Sequence, residues 1–286
     1  MKHLATDHDE ARLREECIGA TACLRRGPAG PATAMPLVLL HGIGSAASSF
    51  APLAGALPAD RPIIAWQAPG YGRSAPLQAA GAVDADAYAA RLAALLDGLG
   101  VRRCILVGHS LGAVVASRFA RRHGERVAAL ILIAPALGHG VPAGAPLPPQ
   151  VAARLEELDR LGPAAFAGLR APRLVADPLN NPAIVAAVGR AMAGIARPGY
   201  DHACRLLAGA DLLAEAAFLS VPTLVLVGDA DRITPPAHAE RLFEALATAV
   251  RRDFGLIAAA GHAVCQERPS EVAAAIVKFL LEGTHG

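Results

Sequence analysis

The stretch 103–112 reads RCILVGHSLG, and it decides how the rest of the chain is interpreted. The apolar run 104–107 predicts a buried strand, and the Ala- and Val-rich segment after residue 112 predicts a helix. Gly108, Ser110 and Gly112 lie between them in the pattern G-x-S-x-G. Glycines have no Cβ, so a strand and a helix can approach closely around a sharp turn. We therefore predict a strand–turn–helix unit that projects the hydroxyl of Ser110 above a sheet.

Strand and helix patterns alternate on both sides of this unit. Continuous apolar runs predict strands at 37–40, 63–66, 127–133, 223–227 and 254–258, and one further early strand at 17–24. Helical spacing of apolar residues predicts helices at 48–57, 84–100, 236–249 and 270–281, and a helix that ends near residue 123. The stretch 1–15 is interpreted as a polar leader and 25–36 as a Gly/Pro loop. Such alternation predicts an α/β fold with a mostly parallel sheet flanked by helices.

The alternation stops between residues 138 and 214. This segment predicts several short helices separated by Gly-Pro, Ala-Pro and Asn-Pro pairs, and no strand. It is far longer than an ordinary loop. We therefore predict a core formed by 1–137 and 215–286, with an inserted helical cap at 138–214.

Composition limits the possible partners. The 286 residues carry 27 Lys and Arg against 25 Asp and Glu, a formal charge of +2 with no basic stripe, so no nucleic-acid partner is expected. No apolar run reaches the roughly 18 residues of a membrane helix, and the N-terminus lacks the apolar centre of a signal peptide. The five cysteines form no C-x-x-C pair and are interpreted as free thiols in a reducing, cytoplasmic compartment. The histidines show no ligand spacing, so no metal is expected. A small-molecule partner is expected, and the oligomeric state is left open.

A serine hydroxyl needs a base to act as a nucleophile, usually a histidine oriented by a carboxylate. Two polar segments follow predicted strands downstream of Ser110. GDADRITP at 228–235 offers Asp231, with Asp229 as a competitor, and GH at 261–262 offers His262. Because carboxyl ends of parallel strands meet at one sheet edge, Ser110, Asp231 and His262 are predicted to form a catalytic triad.

Five motifs together resemble those of the α/β-hydrolase superfamily, over residues 36–282. They are HGIG at 41–44, APGYGRS at 68–74, GHSLG at 108–112, GDADRITP at 228–235 and GH at 261–262. The resemblance implies the α/β-hydrolase fold, the acid role for Asp231, and an oxyanion hole formed by the backbone N–H groups of Ile43 and Leu111. Gln67 replaces the acid that relatives commonly carry before the second motif, which leaves the triad intact.

The resemblance implies a serine hydrolase that works through an acyl-enzyme and needs no cofactor. The cap segment is rich in aliphatic residues and shows no obvious charged cluster, so the expected substrate is a small to medium, largely apolar carboxylic ester or related carbonyl compound. A carbon–carbon bond hydrolase of aromatic ring-cleavage products is one alternative, although such enzymes usually carry Asn and Trp where this chain has His109 and Ala263. A cofactor-free oxygenase or perhydrolase and a non-catalytic ligand receptor are the others. His41 is expected to hold the HGIG turn through hydrogen bonds.

Overall fold

An eight-stranded sheet runs through the computed structural model, which describes residues 13–27, 34–78 and 83–282. The strands are β1 (Arg14–Ile18), β2 (Thr21–Arg26), β3 (Leu37–Leu40), β4 (Ile63–Trp66), β5 (Cys104–His109), β6 (Val127–Ile133), β7 (Thr223–Gly228) and β8 (Arg252–Ile257). They are ordered β1-β2-β4-β3-β5-β6-β7-β8 across the sheet. Neighbours from β4 to β8 run parallel, whereas β1 and β2 pair antiparallel. The predicted fold class is confirmed.

Helices cover both faces of this sheet. They are α1 (Ala51–Ala56), α2 (Ala85–Gly98), α3 (Leu111–Arg122), α4 (Pro149–Arg170), α5 (Pro182–Ala193), α6 (Gly199–Gly209), α7 (Leu212–Ala216), α8 (Pro236–Ala245), α9 (Val264–Glu267) and α10 (Pro269–Glu282). Strand β3 is wholly apolar because alternate residues enter two different cores. Val38 lies in the core that includes Phe119 of α3, and Leu39 lies in the core that includes Ile276 of α10.

The N-terminal edge corrects one prediction. The single strand expected at 17–24 is a hairpin of β1 and β2, because Gly19 adopts a φ of 56° and reverses the chain between them. That left-handed conformation favours glycine. Residues 1–12 of the predicted leader and residues 28–33 of the predicted loop lie outside the described residues.

The segment predicted as a cap comprises α4 to α6, the start of α7 and a 3-10 turn at Ala171–Leu174, and its described residues form no strand beyond one isolated bridge. Helix α4 is broken where Gly162, with a φ of 72°, precedes Pro163. The bridge joins Gly138 to Asp211, and the N–H of Leu212 donates to the carbonyl of Leu137 at 2.8 Å. The two ends of the segment therefore lie side by side, as an insertion requires, and we retain 138–214 as its proposed bounds.

Candidate active site

Ser110 lies at the junction of β5 and α3, and its backbone is unusual. It has a φ of 54° and a ψ of −117°, a conformation that L-residues avoid and that costs roughly 1–3 kcal/mol. A Cβ added to Gly112 would lie 2.0 Å from the carbonyl oxygen of Leu40, and one added to Gly108 would lie 2.5 Å from that of Gly112. The two glycines are thus required by the close approach of strand and helix.

Asp231 and His262 form a buried pair beside this turn. Asp231 follows β7 and His262 follows β8, so the sheet brings together residues 31 positions apart. His262 Nδ1 lies 2.9 Å from Oδ2 of Asp231. Since an ionised carboxylate only accepts hydrogen bonds, we assign the ring proton to Nδ1, which leaves Nε2 as a proton acceptor.

The carboxylate of Asp231 is held by further donors. Its Oδ1 accepts from the backbone N–H of Ile233 at 2.8 Å and of Thr234 at 3.0 Å. Burial acts to raise the pKa of Asp231, but the hydrogen bond and charge of His262 and these two N–H groups outweigh it and leave the pKa lowered. Asp231 is therefore held as a carboxylate at neutral pH.

Asp229, the competing acid, is placed differently. Its Oδ1 accepts only a long bond of 3.4 Å from the N–H of Ala260, and no hydrogen bond joins it to His262 within the described part of the chain. It serves to connect the ends of β7 and β8. The geometry favours Asp231 as the partner of His262.

One residue that the sequence reasoning did not single out completes this arrangement. The hydroxyl of Thr234 lies 2.9 Å from Asp231 Oδ2, 3.1 Å from His262 Nδ1 and 3.0 Å from the carbonyl oxygen of Ala134. It fixes the acid and the histidine relative to the end of β6. Its position inside the GDADRITP motif was the available signal.

Ser110 and His262 line one cavity of about 260 Å³ between core and cap, which we call the triad cavity. Its walls comprise Ile43, Ser110, Ala136, Leu137, Gly138, His139, Arg154, Arg170, Arg173, Leu174, Met192, Leu207, Ile233, Thr234, His238 and His262. No hydrogen bond joins Ser110 Oγ to His262 among the described residues. Such contacts are often long in a free enzyme and tighten when substrate binds.

The predicted oxyanion-hole residues flank Ser110. A Cβ added to Gly42 would lie 2.7 Å from Cβ of Ser110, so the turn that carries Ile43 is pressed against the serine. Leu111 begins α3, where a backbone N–H has no partner within the helix. In the described parts of the chain, neither the Ile43 nor the Leu111 N–H donates to another backbone carbonyl. Both remain predicted donors to an anionic oxygen.

Two further histidines, buried His41 and partly exposed His109, lie next to the site. His41 Nδ1 donates to the carbonyl of Gly42 at 2.9 Å, and its Nε2 accepts from the N–H of Ala68 at 3.1 Å, which matches its expected role in the HGIG turn. Burial lowers the pKa of His41 to about 4. His109 Nε2 lies 2.8 Å from the carbonyl oxygen of His262, and burial followed by the charge of His262 lowers the pKa of His109 to about 3. Both rings are therefore neutral at pH 7.

Glu267 connects the cap to the loop of His262. Its Oε1 accepts from the N–H of Ala176 in the cap, and its Oε2 accepts from the N–H of Gly261, each at 2.8 Å. On the other side of the site, Gln67 Oε1 accepts from the N–H of Ala47 at 3.1 Å. The substitution of Gln for the acid common in relatives thus leaves that loop bonded.

The cap side of the triad cavity carries charge that the sequence did not predict, although aliphatic side chains also line it. Three arginines, Arg154, Arg170 and Arg173, line it, and no Asp or Glu does among the residues that the structure describes. In the sequence they are separated by 16 and by three positions, so no compact cluster was visible. The kink at Gly162 and the turn that follows α4 bring them to one wall.

Two other expectations concern metals and membranes. Among the described residues, no group of three or more His, Cys, Asp or Glu side chains is arranged to hold a metal ion. Within the same part of the chain, every helix is too short or too polar to cross a bilayer.

Comparison with known proteins places this geometry in a family. Residues 37–275 match the model of the alpha/beta hydrolase family. The chain is 33% identical over 257 residues to lipase LipV of Mycobacterium tuberculosis, covering 88% of this chain and 94% of the lipase. It is 34% identical over 284 residues to polyketide synthase ThaQ of Burkholderia thailandensis, covering 95% of this chain but only 13% of that protein's length.

A solved structure supports the same fold. The enol-lactonase of Burkholderia xenovorans superposes with a TM-score of 0.79 at 24% identity, covering 94% of this chain and 100% of that one. The family match covers most of the chain and includes every predicted site residue. This chain therefore belongs to the alpha/beta hydrolase family.

Proposed function

We propose that the chain is a serine hydrolase that cleaves a small to medium carboxylic ester, or a related carbonyl compound, through an acyl-enzyme intermediate. The observation that carries the proposal is the buried pair of His262 and Asp231, joined at 2.9 Å, in the wall of the cavity that contains Ser110. A relative with 33% identity is named a lipase, which agrees with ester cleavage.

The first half of the reaction forms the acyl-enzyme. His262 Nε2 accepts the proton of Ser110 as Oγ attacks the carbonyl carbon, and Asp231 stabilises the charged imidazolium. The N–H groups of Ile43 and Leu111 bind the developing oxyanion, an effect of about 3 kcal/mol for one such donor. His262 then protonates the leaving alcohol.

The second half releases the acid. Water enters, His262 accepts one of its protons, and the hydroxide attacks the acyl carbon through the same oxyanion geometry. The tetrahedral intermediate collapses, and His262 returns the proton to Ser110. No external cofactor takes part in this sequence.

The triad cavity limits the acyl chain. At about 260 Å³ it lies just below the usual range of ligand sites, about 300–1,000 Å³. Each methylene that fits should improve kcat/KM by up to about 0.8 kcal/mol of transfer energy. Across p-nitrophenyl esters from acetate to palmitate, kcat/KM should therefore rise, reach a maximum among short or medium chains, and then fall. A maximum at palmitate would mean that the cap does not enclose the site.

Covalent labelling tests the nucleophile directly. A fluorophosphonate should add one adduct to the native chain, mapped by mass spectrometry to the peptide that contains Ser110. Ser110→Ala should abolish both the adduct and ester hydrolysis. Ser117→Ala is the matched control, since Ser117 is a buried serine of α3 outside the triad cavity. Labelling that persists in Ser110→Ala would overturn the proposal.

A further inference from the structure

We propose that the substrate carries a carboxylate remote from its reacting carbonyl, and that Arg154 and Arg173 of the cap bind this carboxylate. The inference rests on the proposed function and narrows its substrate class. The compounds it describes are half-esters of dicarboxylic acids and lactones that bear a side-chain carboxylate.

Arg154 is the central residue. It projects from α4 into the triad cavity and is only partly accessible to solvent. Its Nε donates to the hydroxyl of Tyr200 at 3.2 Å, and no Asp or Glu among the described residues forms an ion pair with it. A guanidinium keeps its charge at every pH a protein tolerates, so it cannot escape partial burial by losing a proton. A partly buried charge without a counter-charge is costly, and a bound anion would relieve that cost.

Arg170 lies in the same wall but, unlike Arg154, has an acidic partner and an aromatic partner. Its Nε and Nη2 bind Glu157 at 2.7 and 2.6 Å, and its guanidinium stacks on the ring of Phe166 at 4.7 Å. Arg170 is therefore already neutralised, and we assign it no ligand. Three residues further on, Arg173 has no hydrogen bond or ion pair within the described part of the chain.

The rest of the cavity lining is largely aliphatic and includes Ser110. Aliphatic side chains, among them Ile43, Leu137 and Leu207, line the cavity together with Ser110. No acidic side chain of the described ranges lines it, so Arg154 and Arg173 give the cavity wall a net positive charge. A substrate with a carbonyl at one end, a short apolar spacer and a carboxylate at the other matches this distribution. The planar guanidinium also matches the two oxygens of a carboxylate.

The test compares two esters that differ only in charge. They are mono-p-nitrophenyl glutarate and its methyl ester, which has the same acyl chain with the carboxylate masked. A hydrogen-bonded charge contributes about 1.5–3 kcal/mol, so native enzyme should favour the anionic ester roughly tenfold to hundredfold in kcat/KM. The preference should appear mainly in KM, because the carboxylate is bound equally in ground and transition states.

Variants assign the preference to named residues. Arg154→Met should reduce the anionic-to-neutral ratio of kcat/KM to near unity, and Arg154→Lys should restore part of it. Arg173→Glu, at an exposed position, should reduce the same ratio even if the Arg154 variants fail to fold. Arg160→Met is the matched control, because Arg160 is an exposed arginine of α4 that does not line the cavity. It should leave the ratio unchanged.

The outcomes separate this inference from the proposed function. If Ser110 is labelled and the methyl ester is hydrolysed, but native enzyme shows no preference for the anionic ester, the carboxylate site is wrong and the hydrolase stands. Equal losses on both esters in Arg154→Met would also overturn it, since that pattern indicates a structural role. If Ser110 is not labelled and neither ester reacts, the proposed function fails. Calorimetric binding of monomethyl glutarate to Ser110→Ala, abolished by adding Arg154→Met, would then still support the anion site, and absence of binding would refute it.

Discussion

Two cavities border the cap, and both contain arginines in very different surroundings. The triad cavity has a volume of about 260 Å³. The second, which we call the outer cavity, is about 540 Å³ and shares no lining residue with it. In the outer cavity, Glu215 pairs with Arg118 at 3.1 Å and with Arg121 at 3.3 Å. In the triad cavity, Arg154 and Arg173 have no such partner among the described residues.

The two aspartates of the outer cavity also have hydrogen-bond donors. Asp84 accepts from the N–H of Ala87 and Asp211 accepts from that of Ala214, so each caps a helix. The acids of the larger cavity therefore have partners, although its exposed Arg205 has no hydrogen bond or ion pair in the described part of the chain. The smaller cavity differs in that its unpaired arginine Arg154 is partly buried and lies in the same wall as the His262 that pairs with Asp231. The proposed active site is therefore in the smaller of the two cavities, where a partly buried arginine without an acidic partner lies in the same cavity as the strained Ser110.

The largest expected difference between the two cavities is in catalysis. Asp231→Asn should lower kcat roughly ten-thousand-fold, because the amide favours the wrong imidazole tautomer. Asp229→Asn, and Asp211→Asn in the outer cavity, should retain most activity. Steady-state kinetics on p-nitrophenyl butyrate, with circular dichroism to check folding, measure all three. A greater loss in Asp229→Asn than in Asp231→Asn would transfer the acid role to Asp229.

The second expected effect is a pH dependence of folding stability caused by His41, which lies next to the triad cavity. The pKa of His41 is about 4 in the folded chain, against about 6.5 when unfolded. Below pH 6.5 the unfolded state therefore binds the additional proton, and folding stability falls as the pH drops toward 4. The loss from this residue is on the order of 3 kcal/mol.

Urea unfolding at several pH values measures this loss. His41→Gln should be less stable at pH 7 but should show a shallower decline on acidification than the native chain. His123→Gln is the control, at a half-buried histidine whose ring packs at a tilt against Phe119, and should keep the native slope. Parallel declines in the native chain and in His41→Gln would show that His41 does not carry the effect.

The third difference concerns what each set of charges does for folding. Glu215→Gln should lower the free energy of unfolding by about 1 kcal/mol, because partly buried Arg118 and exposed Arg121 lose their closest counter-charge and Arg118 keeps only a 3.9 Å contact with Asp86. Its ester kinetics should match those of the native chain. Arg154→Met should change the free energy of unfolding by less than about 1 kcal/mol, since the lost bond to Tyr200 is offset by removal of an unpaired charge. The reverse ranking would mean that Arg154 is retained for stability.

The smallest expected effect is a dependence on salt. Raising NaCl from about 0.05 to about 0.5 M shortens the screening length and should raise KM for mono-p-nitrophenyl glutarate about twofold to threefold. KM for the methyl ester should change much less, because no charge pair forms with it. Equal responses of the two esters would indicate a general salt effect and would weaken the comparison.

The candidate site residues could be predicted from the sequence because their spacing has local causes. The glycines around Ser110 are required by contacts within one strand–turn–helix unit, so the pattern is visible in ten consecutive residues. The preference for Asp231 over Asp229 came from the family resemblance, and the bond to His262 agrees with it. The hairpin of β1 and β2 was missed because Gly19 lies inside a run that otherwise resembles one strand.

The cap divides what sequence determines from what tertiary structure decides. The sequence by itself determined the alternation of strands and helices, the turn at Ser110 and the order of the catalytic candidates, since each depends on period, on glycine geometry or on a short motif. The sequence also contains Arg154, Arg170 and Arg173, but it does not show which of them have acidic partners. Only the tertiary structure decided that Glu157 neutralises Arg170 and that Arg154 and Arg173 meet no acidic partner in the described part of the chain, because charge balance depends on which side chains meet in space.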